Sequence, residues 1–428
     1  MIKKKNKNNK TIKGGLLGLG IKSSYSEDVY SSFSPRIEYT THNIKSKNKL
    51  EYLFYERNFD FLNVTSPFKE IVKQFLDYKS DIVEKTGVCN LVVNRKGVLK
   101  GYNTDVYGFK KLLEKNCVDV KNKNVLILGN GATSKTIKYT LEEMGVNNIY
   151  VACRNKKEEF EYFFDEAPKD ANIIINATPC GKQISDKRLV FLKQYKKLET
   201  VIDVVYNPYK TLLLVDAKEL GKGAISGFDM LVNQAKQAIS LVTNTLYPTF
   251  LWENLRTEIL CSKLNLVLIG LPTAGKSKMC KELKKFLTSK TKTAFYDTDK
   301  IIESVTKMPI RQIFLDYGEE RFRTYERWAV YGLKKIKGAV IATGGGVPID
   351  KHNYELLSRN GFFVYLKKTN FDDFKADKNR PLLKSKEDLK ELYKKRNPIY
   401  EKRADLTLSS NVDAQTLLKE AFNAIDNS

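Results

Sequence analysis

Long hydrophobic runs, paired cysteines and histidines are all scarce in this sequence, and each scarcity excludes a class of protein. Apolar runs such as Leu264 to Ile269 are far shorter than the roughly 20 residues of a membrane-spanning helix. The six cysteines form no C-x-x-C pair, so the sequence predicts reduced thiols in a cytoplasmic protein rather than a disulfide framework or zinc site. With only two histidines, His42 and His352, proton transfer is expected to fall to lysine, aspartate or glutamate.

Arginine is also scarce, although the formal net charge is +24. Of the 74 basic residues only 14 are arginine, and the lysines are spread along the whole chain. Clustered basic residues would predict a specific nucleic-acid site, whereas dispersed lysines indicate a solvated surface that binds polyanions weakly. The Lys/Asn-rich tract Met1 to Lys13 is expected to be a disordered tail. It has neither an apolar signal-peptide core nor an arginine, which argues against a targeting peptide without settling organelle import.

The length of 428 residues predicts two or three domains, and the pattern after Leu126 predicts parallel α/β sheets. Short apolar runs alternate there with helical stretches, as in βαβ units. Two of these runs end in glycine-rich turns, VLILGNGATSK (125–135) and NLVLIGLPTAGKS (265–277). Two such turns predict two nucleotide sites, with a domain boundary near Leu255 to Ser262.

The first glycine-rich turn lies between a predicted strand and a predicted helix, as a dinucleotide-binding turn does. Its cradle for a pyrophosphate would be Gly129, Asn130, Gly131 and Ala132. The third glycine of the common fingerprint is not in its usual place, so a purely structural turn is an alternative. After the next strand, Arg154 stands where NAD-binding proteins have an acidic residue. This favours the 2′-phosphate of NADP, the alternative being a surface arginine at the sheet edge.

Three polar segments before this unit sit at turns, where they can converge on a small polyol, and three further segments follow along the chain. They are NVTSPFK (63–69), GVCN (87–90), GYNTD (101–105), INATPCG (175–181), DVVYNPYKT (203–211) and GFDMLVNQA (227–235). In sequence and order they resemble the motifs of shikimate dehydrogenases. The resemblance implies a substrate-binding α/β domain over residues 14–107, with return helices over 236–258, and a Rossmann-type NADP-binding domain over 108–235.

The same resemblance implies a role for individual residues. Lys69 would protonate the alcohol oxygen while Asp105 holds the lysine in place, which suits an ammonium facing developing negative charge. The implied substrate ligands are Ser24, Ser26, Thr65, Asn90, Asp105, Tyr206 and Gln234. The implied cofactor contacts beyond the glycine turn are Asp81, Arg154, Asn155, Val204 and Gly227. Two departures are a missing proline after the serines and a shortened interval between Asn155 and Ala171, where the family has a further strand and helix.

The second glycine-rich turn fits the P-loop pattern G-x-x-x-x-G-K-S/T completely. It consists of Gly270, Leu271, Pro272, Thr273, Ala274, Gly275, Lys276 and Ser277. Its backbone amides would surround the phosphates, Lys276 would reach the outer ones, and Ser277 would hold magnesium. The motif by itself indicates only a nucleoside triphosphate, so the phosphate acceptor must be identified from other segments.

Those segments, in chain order, are YDTD (296–299), GEERFRTYE (318–326), ATGGGV (342–347), NRPLL (379–383) and RNPIYEKRAD (396–405). They resemble shikimate kinases from Asn265 to about Leu408, which implies a P-loop kinase domain over residues 262–428. Asp299 would bind the acceptor hydroxyls, and Asp297, with Lys276 a catalytic residue of this part, would act near magnesium and the 3-hydroxyl. The other implied ligands are Arg323 and Arg396 for the substrate carboxylate, Gly344, Gly345 and Gly346 along the pocket, and Arg380 on a short lid over ATP.

Together these segments predict a bifunctional enzyme that reduces 3-dehydroshikimate with NADPH and then phosphorylates shikimate with ATP. One rival is a basic regulatory or nucleic-acid-binding protein with inactive enzyme domains. The presence of Lys69, Asp105, Lys276 and Asp299 argues against it. Another rival is a P-loop kinase for a different small polyol or a nucleoside, joined to a quinate-type dehydrogenase. Arg323 and Arg396 favour a carboxylate acceptor, because guanidinium groups bind carboxylates in a planar, bidentate manner.

Overall fold

The structure is a computed structural model that describes residues 11–21, 25–33, 37–287, 293–372 and 385–427. These residues form two compact units. The first runs up to Tyr206 and continues over Lys222–Arg256, and the second comprises Asn207–Gly221 and the residues from Thr257 onward. Residues 207–221, expected in the Rossmann-type domain, therefore group with the C-terminal unit. Among the helices of these described ranges, none has the length and apolar character of a membrane span.

The first unit begins with a mixed sheet of order β2-β1-β3-β5-β6-β4. The strands are β1 (Ile12–Gly18), β2 (Ile37–Asn43), β3 (Phe61–Val64), β4 (Tyr78–Lys79), β5 (Leu91–Arg95) and β6 (Val98–Tyr102). The helices between and after them are α1 (Tyr25–Phe33), α2 (Lys47–Glu56), α3 (Asp81–Thr86) and α4 (Asp105–Lys115). β1 pairs in parallel with β2 and β3, whereas β5 is antiparallel to β3 and β6. Leu17, Leu62, Val92 and Leu99 are fully buried in its core.

Strand β1 corrects the predicted N-terminal tail. It begins at Ile12, so Ile12 and Lys13 belong to the sheet rather than to a disordered segment. The reason is that β1 pairs on both sides, with β2 and with β3, and the Lys13 backbone amide donates to Asp60 Oδ2 at 2.8 Å. Residues 1–10 of the predicted tail lie outside the described residues.

The second sheet of the first unit is parallel throughout, in the order β12-β11-β10-β7-β8-β9. Its strands are β7 (Asn124–Leu128), β8 (Asn148–Ala152), β9 (Glu161–Tyr162), β10 (Ile173–Asn176), β11 (Thr200–Asp203) and β12 (Gly223–Ser226). The helices of this stretch are α5 (Ala132–Glu143), α6 (Leu212–Glu219), α7 (Phe228–Thr243) and α8 (Thr249–Lys263). The strand order reverses at β7, and dinucleotides bind at such a switch point. The predicted Rossmann-type α/β fold is confirmed.

The second unit is built on a parallel sheet of order β14-β15-β13-β16-β17. Its strands are β13 (Asn265–Ile269), β14 (Phe295–Asp297), β15 (Val340–Ala342), β16 (Gly361–Lys367) and β17 (Leu406–Ser409). The helices are α9 (Lys276–Leu287), α10 (Thr298–Thr306), α11 (Ile310–Leu333), α12 (Lys351–Ser358), α13 (Lys386–Arg403) and α14 (Ala414–Asp426). Val267, Ile341 and Phe363 are buried at its centre, as expected for strands covered on both faces. The division between the units falls inside α8, after Arg256.

Two candidate active sites

The first candidate site contains an ion pair between Lys69, which follows β3, and Asp105, the first residue of α4. Lys69 Nζ lies 2.6 Å from Asp105 Oδ2, and the two side chains are only 12% and 9% exposed. Lys69 Nζ also lies 3.4 Å from Thr133 Oγ1, near the start of α5. A charged pair so poorly solvated is held by its mutual attraction and its hydrogen bonds. It places a proton donor and a fixed carboxylate side by side.

A buried amide network fixes the other oxygen of Asp105. Asn90 Nδ2 donates to Asp105 Oδ1 at 2.9 Å and lies 3.4 Å from Gln234 Oε1. The backbone amide of Thr104 donates to Asn90 Oδ1 at 2.7 Å. Asn90, Gln234 and the Lys69–Asp105 pair are thus brought together from four separate segments. Thr104 is a member that the sequence analysis did not single out, although it lies inside the GYNTD motif.

The other expected substrate ligands lie on neighbouring elements of the same unit. Thr65 is half-buried just after β3, and its Cγ2 would be 2.5 Å from a Cβ added at Gly18. Ser26 is buried in α1 and hydrogen bonds to Tyr39, while the ring of Tyr206 is 5.6 Å from that of Tyr25. Ser24 lies outside the described residues.

The glycine turn after β7 leaves backbone amides accessible at the start of α5. Gly129 has φ = +106°, which favours glycine, and a Cβ there would come within 2.9 Å of Thr178. Gly131 is the N-cap residue of α5, so the helix amides from Ala132 onward open toward this turn. Arg154 is exposed immediately after β8. The arrangement combines an amide cradle with an accessible guanidinium, as a dinucleotide phosphate site requires.

Glu161 in β9 is a feature of this turn that the sequence analysis missed. Its Oε2 accepts from Asn130 Nδ2 at 2.9 Å and from the Lys157 backbone amide at 2.6 Å. Asn130 Nδ2 donates as well to the Asn155 carbonyl at 2.9 Å. Burial alone would raise the pKa of Glu161, but the hydrogen bonds from Lys157 and Asn130 lower it below its usual value. The charged carboxylate therefore ties the basic loop after β8 to the glycine turn.

The remaining expected cofactor contacts lie at two other places in the first unit. Gly227 is buried so closely against Val204 that a Cβ would approach the Val204 carbonyl oxygen to 2.5 Å. Only glycine fits this position without displacing the backbone. Asp81 is exposed at the first position of α3.

The P-loop joins β13 to α9 in the second unit. Gly270 and Gly275 have positive φ angles of 146° and 79°, so the loop takes a path that favours glycine at both positions. Lys276 is 8% exposed, and its Nζ donates to the carbonyls of Gly270 at 2.9 Å and Leu271 at 2.7 Å. Ser277 is exposed in the first turn of the helix. The lysine is held within the loop, whereas the serine is exposed.

The glycine turn Gly344–Gly346, which follows β15, brings the expected acceptor ligands together. A Cβ at Gly344 would be 2.6 Å from Asp299 Oδ1, and one at Gly346 would overlap Arg323 Nη1. A Cβ at Gly345 would be 3.3 Å from Arg396 Nη1 and 3.0 Å from Pro272 of the P-loop. Glycine is required here because any side chain would fill the space around these charged groups. The turn therefore places one carboxylate and two guanidinium groups beside the P-loop.

Glu326 in α11 completes this cluster and was not predicted individually. Arg323 Nη1 donates to Glu326 Oε2 at 2.9 Å, and Glu326 is 1% exposed. Burial raises the pKa of Glu326, against the opposing attraction of Arg323. Asp297 is the N-cap of α10 and accepts from the amides of Asp299 and Lys300 at 3.1 and 3.3 Å. Arg380, expected on the lid, lies outside the described residues.

Known proteins similar to this chain divide along the same two parts. The shikimate kinase family model matches residues 272–426. Shikimate dehydrogenase (NADP(+)) of Caldanaerobacter subterraneus is 37% identical over 216 residues, which are 46% of this chain and 77% of the relative. The enzyme of the same description from Clostridium botulinum is 34% identical over 247 residues, 53% of this chain and 95% of the relative.

A solved structure gives the same result for the first part. Shikimate 5-dehydrogenase from Thermus thermophilus, in complex with NADP(H) and shikimate, is 25% identical with a TM-score of 0.51. The similarity covers 58% of this chain and 99% of that one. The chain therefore belongs to the shikimate dehydrogenase family and carries, behind that part, a shikimate kinase domain.

Proposed function

We propose that this chain catalyses two consecutive reactions of one pathway. The first is the NADPH-dependent reduction of 3-dehydroshikimate to shikimate, and the second is the ATP-dependent phosphorylation of shikimate to shikimate 3-phosphate. The observation that carries the proposal is the buried Lys69–Asp105 pair at 2.6 Å, in one chain with a complete P-loop. The product of the first reaction is the acceptor of the second, so the fusion is chemically coherent.

In the reduction, Lys69 acts on the oxygen of the reacting carbonyl, and Asp105 acts on Lys69. NADPH, when bound, supplies the hydride. Lys69 Nζ donates the proton to the oxygen and stabilises the negative charge that develops there. Asp105 orients the ammonium through Oδ2, while Asn90 holds Oδ1 in place. Because both oxygens of the carboxylate are fixed, the lysine keeps its direction without reorganisation during the reaction.

The residues around the first glycine turn fit NADP(H). The glycine turn, in which a Cβ at Gly129 would clash with Thr178, can receive the pyrophosphate at the start of α5. Arg154 would contact the 2′-phosphate, and Glu161 would hold the loop that carries it. Val204 and Gly227, in close contact with each other, would receive the nicotinamide end, and Asp81 would be a further contact.

In the phosphorylation, the P-loop and the glycine turn Gly344–Gly346 receive ATP and shikimate respectively. Lys276 would turn from its loop carbonyls to the phosphates and neutralise charge during transfer. Asp299 would bind the acceptor hydroxyls, and Arg323 with Arg396 the carboxylate. Arg380 would neutralise charge from the lid. The hydroxyl of Ser277 and the carboxylate of Asp297 are hard oxygen donors that fit Mg²⁺, which would offset phosphate charge.

The proposal also includes the cellular compartment of the protein and the boundaries of its domains. We place the chain in the cytoplasm, a reducing compartment, which the six free cysteines support. The substrate domain would cover residues 14–107 and the return helices, the cofactor domain 108–235, and the kinase 262–428. Residues 207–221 are the exception, since they group with the kinase unit.

A coupled assay tests both activities at once. The full chain is incubated with 3-dehydroshikimate, NADPH, ATP and magnesium, and products are identified by mass spectrometry. We expect shikimate when ATP is omitted and shikimate 3-phosphate when it is present. Parallel reactions with 3-dehydroquinate would yield a product only if the first site accepts a quinate-type substrate. A chain that produced neither compound from 3-dehydroshikimate would contradict the proposal.

A further inference from the structure

Residues Asn207–Gly221 group with the kinase unit although they lie between strands β11 and β12 of the other unit's sheet. Val215 of α6 is 3% exposed in the same core as Val267 and Phe363. Just before the helix, the Lys210 amide donates to the Arg359 carbonyl at 2.9 Å. The segment is thus built into the second unit by both apolar packing and backbone hydrogen bonding.

At the end of α6, Glu219 holds a buried arginine of α13. Arg403 Nε donates to Glu219 Oε1 at 2.8 Å, and the Arg403 side chain is 9% exposed. Its Nη1 donates to the carbonyls of Pro348 at 2.7 Å and Ile349 at 3.2 Å. The guanidinium also lies 4.4 Å from the ring centre of Tyr354. Arg403 therefore connects Glu219 to the backbone immediately after the glycine turn Gly344–Gly346.

Helix α13 also contacts that glycine turn at a second point. Tyr400, three residues before Arg403, donates its hydroxyl to the Gly345 carbonyl at 2.6 Å. Tyr400 and Arg403 lie on neighbouring positions of one helix face, because residues three apart face the same side. Tyr400 thus anchors the turn itself and Arg403 the backbone just after it, and this turn lies against Asp299, Arg323 and Arg396. Its position therefore sets the spacing of the acceptor-binding groups.

We propose that Glu219 is a positioning residue of the kinase, acting through Arg403 on the glycine turn Gly344–Gly346. The inference rests on the proposed shikimate kinase function. Without Glu219, the guanidinium of Arg403 loses its charge partner in a poorly solvated place and turns toward water. The Pro348 and Ile349 carbonyls then lose their donor, and the turn shifts relative to Arg323 and Arg396. The shift weakens binding of the acceptor and leaves the P-loop unchanged.

The experiment measures kinase kinetics of the full chain with Glu219→Ala and Glu219→Gln. ADP is measured by chromatography. A coupled assay that follows a nicotinamide nucleotide is avoided, because the dehydrogenase of the same chain could consume that nucleotide. We expect Glu219→Ala to raise the KM for shikimate about tenfold, the fold-change for one lost charge-assisted hydrogen bond, with the KM for ATP unchanged. Glu219→Gln keeps an acceptor oxygen for Arg403 Nε, and its KM should lie between those of the wild type and Glu219→Ala.

The matched control is Lys402→Met. Lys402 Nζ lies 3.9 Å from Glu219 Oε2 but is 51% exposed, so this variant removes a charge next to Glu219 without touching Arg403. All rates are taken below the thermal midpoint of each variant, and Glu219→Gln provides the test if Glu219→Ala does not fold. A shikimate KM of Glu219→Ala equal to those of Lys402→Met and the wild type would overturn the inference alone. Where Glu219→Ala does not fold, an unchanged KM of Glu219→Gln would do so. A wild-type chain that does not phosphorylate shikimate would overturn the proposed function and this inference with it.

Discussion

Lys69 is only 12% exposed and is paired to the carboxylate of Asp105. Water therefore cannot readily take the place of its ammonium group. We expect Lys69→Ala to lower the reduction rate by roughly 10²- to 10⁴-fold, the usual contribution of a positioned proton donor. The phosphorylation rate should be unchanged, because the P-loop belongs to the other unit. Both rates are measured on the same preparation, from NADPH absorbance and from ADP formation.

The matched control for this residue is Lys135→Ala. Lys135 forms an ion pair with Glu70 at 2.6 Å but is 45% exposed, so its loss should change neither rate. A folded Lys69→Ala variant that lost both activities together would contradict the assignment of the two reactions to separate units.

Arg154 leads to a prediction about the preference for NADPH over NADH. Arg154→Ala should weaken NADPH binding by about 1.5 to 3 kcal/mol, as for one lost charge-assisted contact. NADH, which has no 2′-phosphate, should bind as before. Dissociation constants from quenching of protein fluorescence measure both, with the exposed Lys121→Ala as a control for net charge. Equal losses for the two cofactors would show that Arg154 does not contact the phosphate.

Residues that act through tertiary contacts are the ones that the sequence did not identify. Lys69, Asp105 and the P-loop could be predicted because each lies in a contiguous motif. Glu161, Thr104 and Glu326 could not be assigned individually, since their roles depend on partners such as Asn130, Asn90 and Arg323. Glu161, for example, lies in the shortened interval between Asn155 and Ala171. Nothing in the local sequence indicates that its carboxylate accepts a hydrogen bond from the Lys157 backbone amide.

At the scale of elements, substitutions in the P-loop and at the start of α10 should impair the kinase in different ways. Lys276→Met should lower turnover roughly 100-fold or more, because it withdraws charge stabilisation during phosphoryl transfer. Asp299→Asn should raise the dissociation constant for shikimate about 10- to 100-fold while ATP-analogue binding persists, since the amide replaces one acceptor by a donor. Calorimetric titration with each ligand separates the two effects.

Asp297, the N-cap residue of α10, provides the comparison that could contradict this prediction. Asp297 is the proposed magnesium ligand, so Asp297→Asn should affect nucleotide and magnesium rather than shikimate. If Asp299→Asn bound shikimate normally and lost the nucleotide, the roles of Asp297 and Asp299 would be exchanged.

The elements themselves were largely predictable, and one assignment was not. Apolar runs with a glycine turn at their ends predicted β7 with α5 and β13 with α9, because local periodicity and turn chemistry decide these units. The unit to which α6 belongs depends on what covers Val215 and on what pairs with Lys210 and Glu219. No local pattern contains that information.

At the scale of the whole molecule, a buried charge cluster should dominate the acid stability of the second unit. Asp405 is 14% exposed and lies 2.8 Å from Lys210 Nζ and 2.6 Å from Lys218 Nζ. It also accepts from the Phe363 amide at 2.8 Å. Burial alone would raise the pKa of Asp405, but the two lysines lower it to about 2. Burial lowers the pKa of Lys210, and the attraction of Asp405 opposes that shift.

Because the folded-state pKa of Asp405 is depressed, its contribution to stability is present above the unfolded value of about 4. It should decline as the pH falls from about 4 through 2, by about 2 kcal/mol in total. Urea unfolding across this range measures the loss. The chain has two tryptophans, and Trp252→Phe leaves Trp328 as a fluorescent reporter of the second unit.

Removing one lysine should have a larger effect at neutral pH. Lys218→Met leaves the Asp405 carboxylate with one ammonium partner, which should lower the free energy of unfolding by about 3 kcal/mol. Lys351→Met is the control, because its pair with Glu355 is 3.8 Å long and 72% exposed on the lysine side. Equal unfolding free energies for the two variants would contradict a stabilising role of the cluster.

The grouping of Asn207–Gly221 with the C-terminal residues has a consequence for how the gene can be divided. The chain passes from one unit to the other after Tyr206, after Gly221 and after Arg256. No single cut therefore yields two polypeptides that each hold all the residues of one unit. A ribosome also delivers α6 before any strand of the kinase sheet exists, so this helix must await its packing partners. Two separately expressed halves would have to be made by duplicating the segment that encodes α6, not by placing a stop codon between the domains.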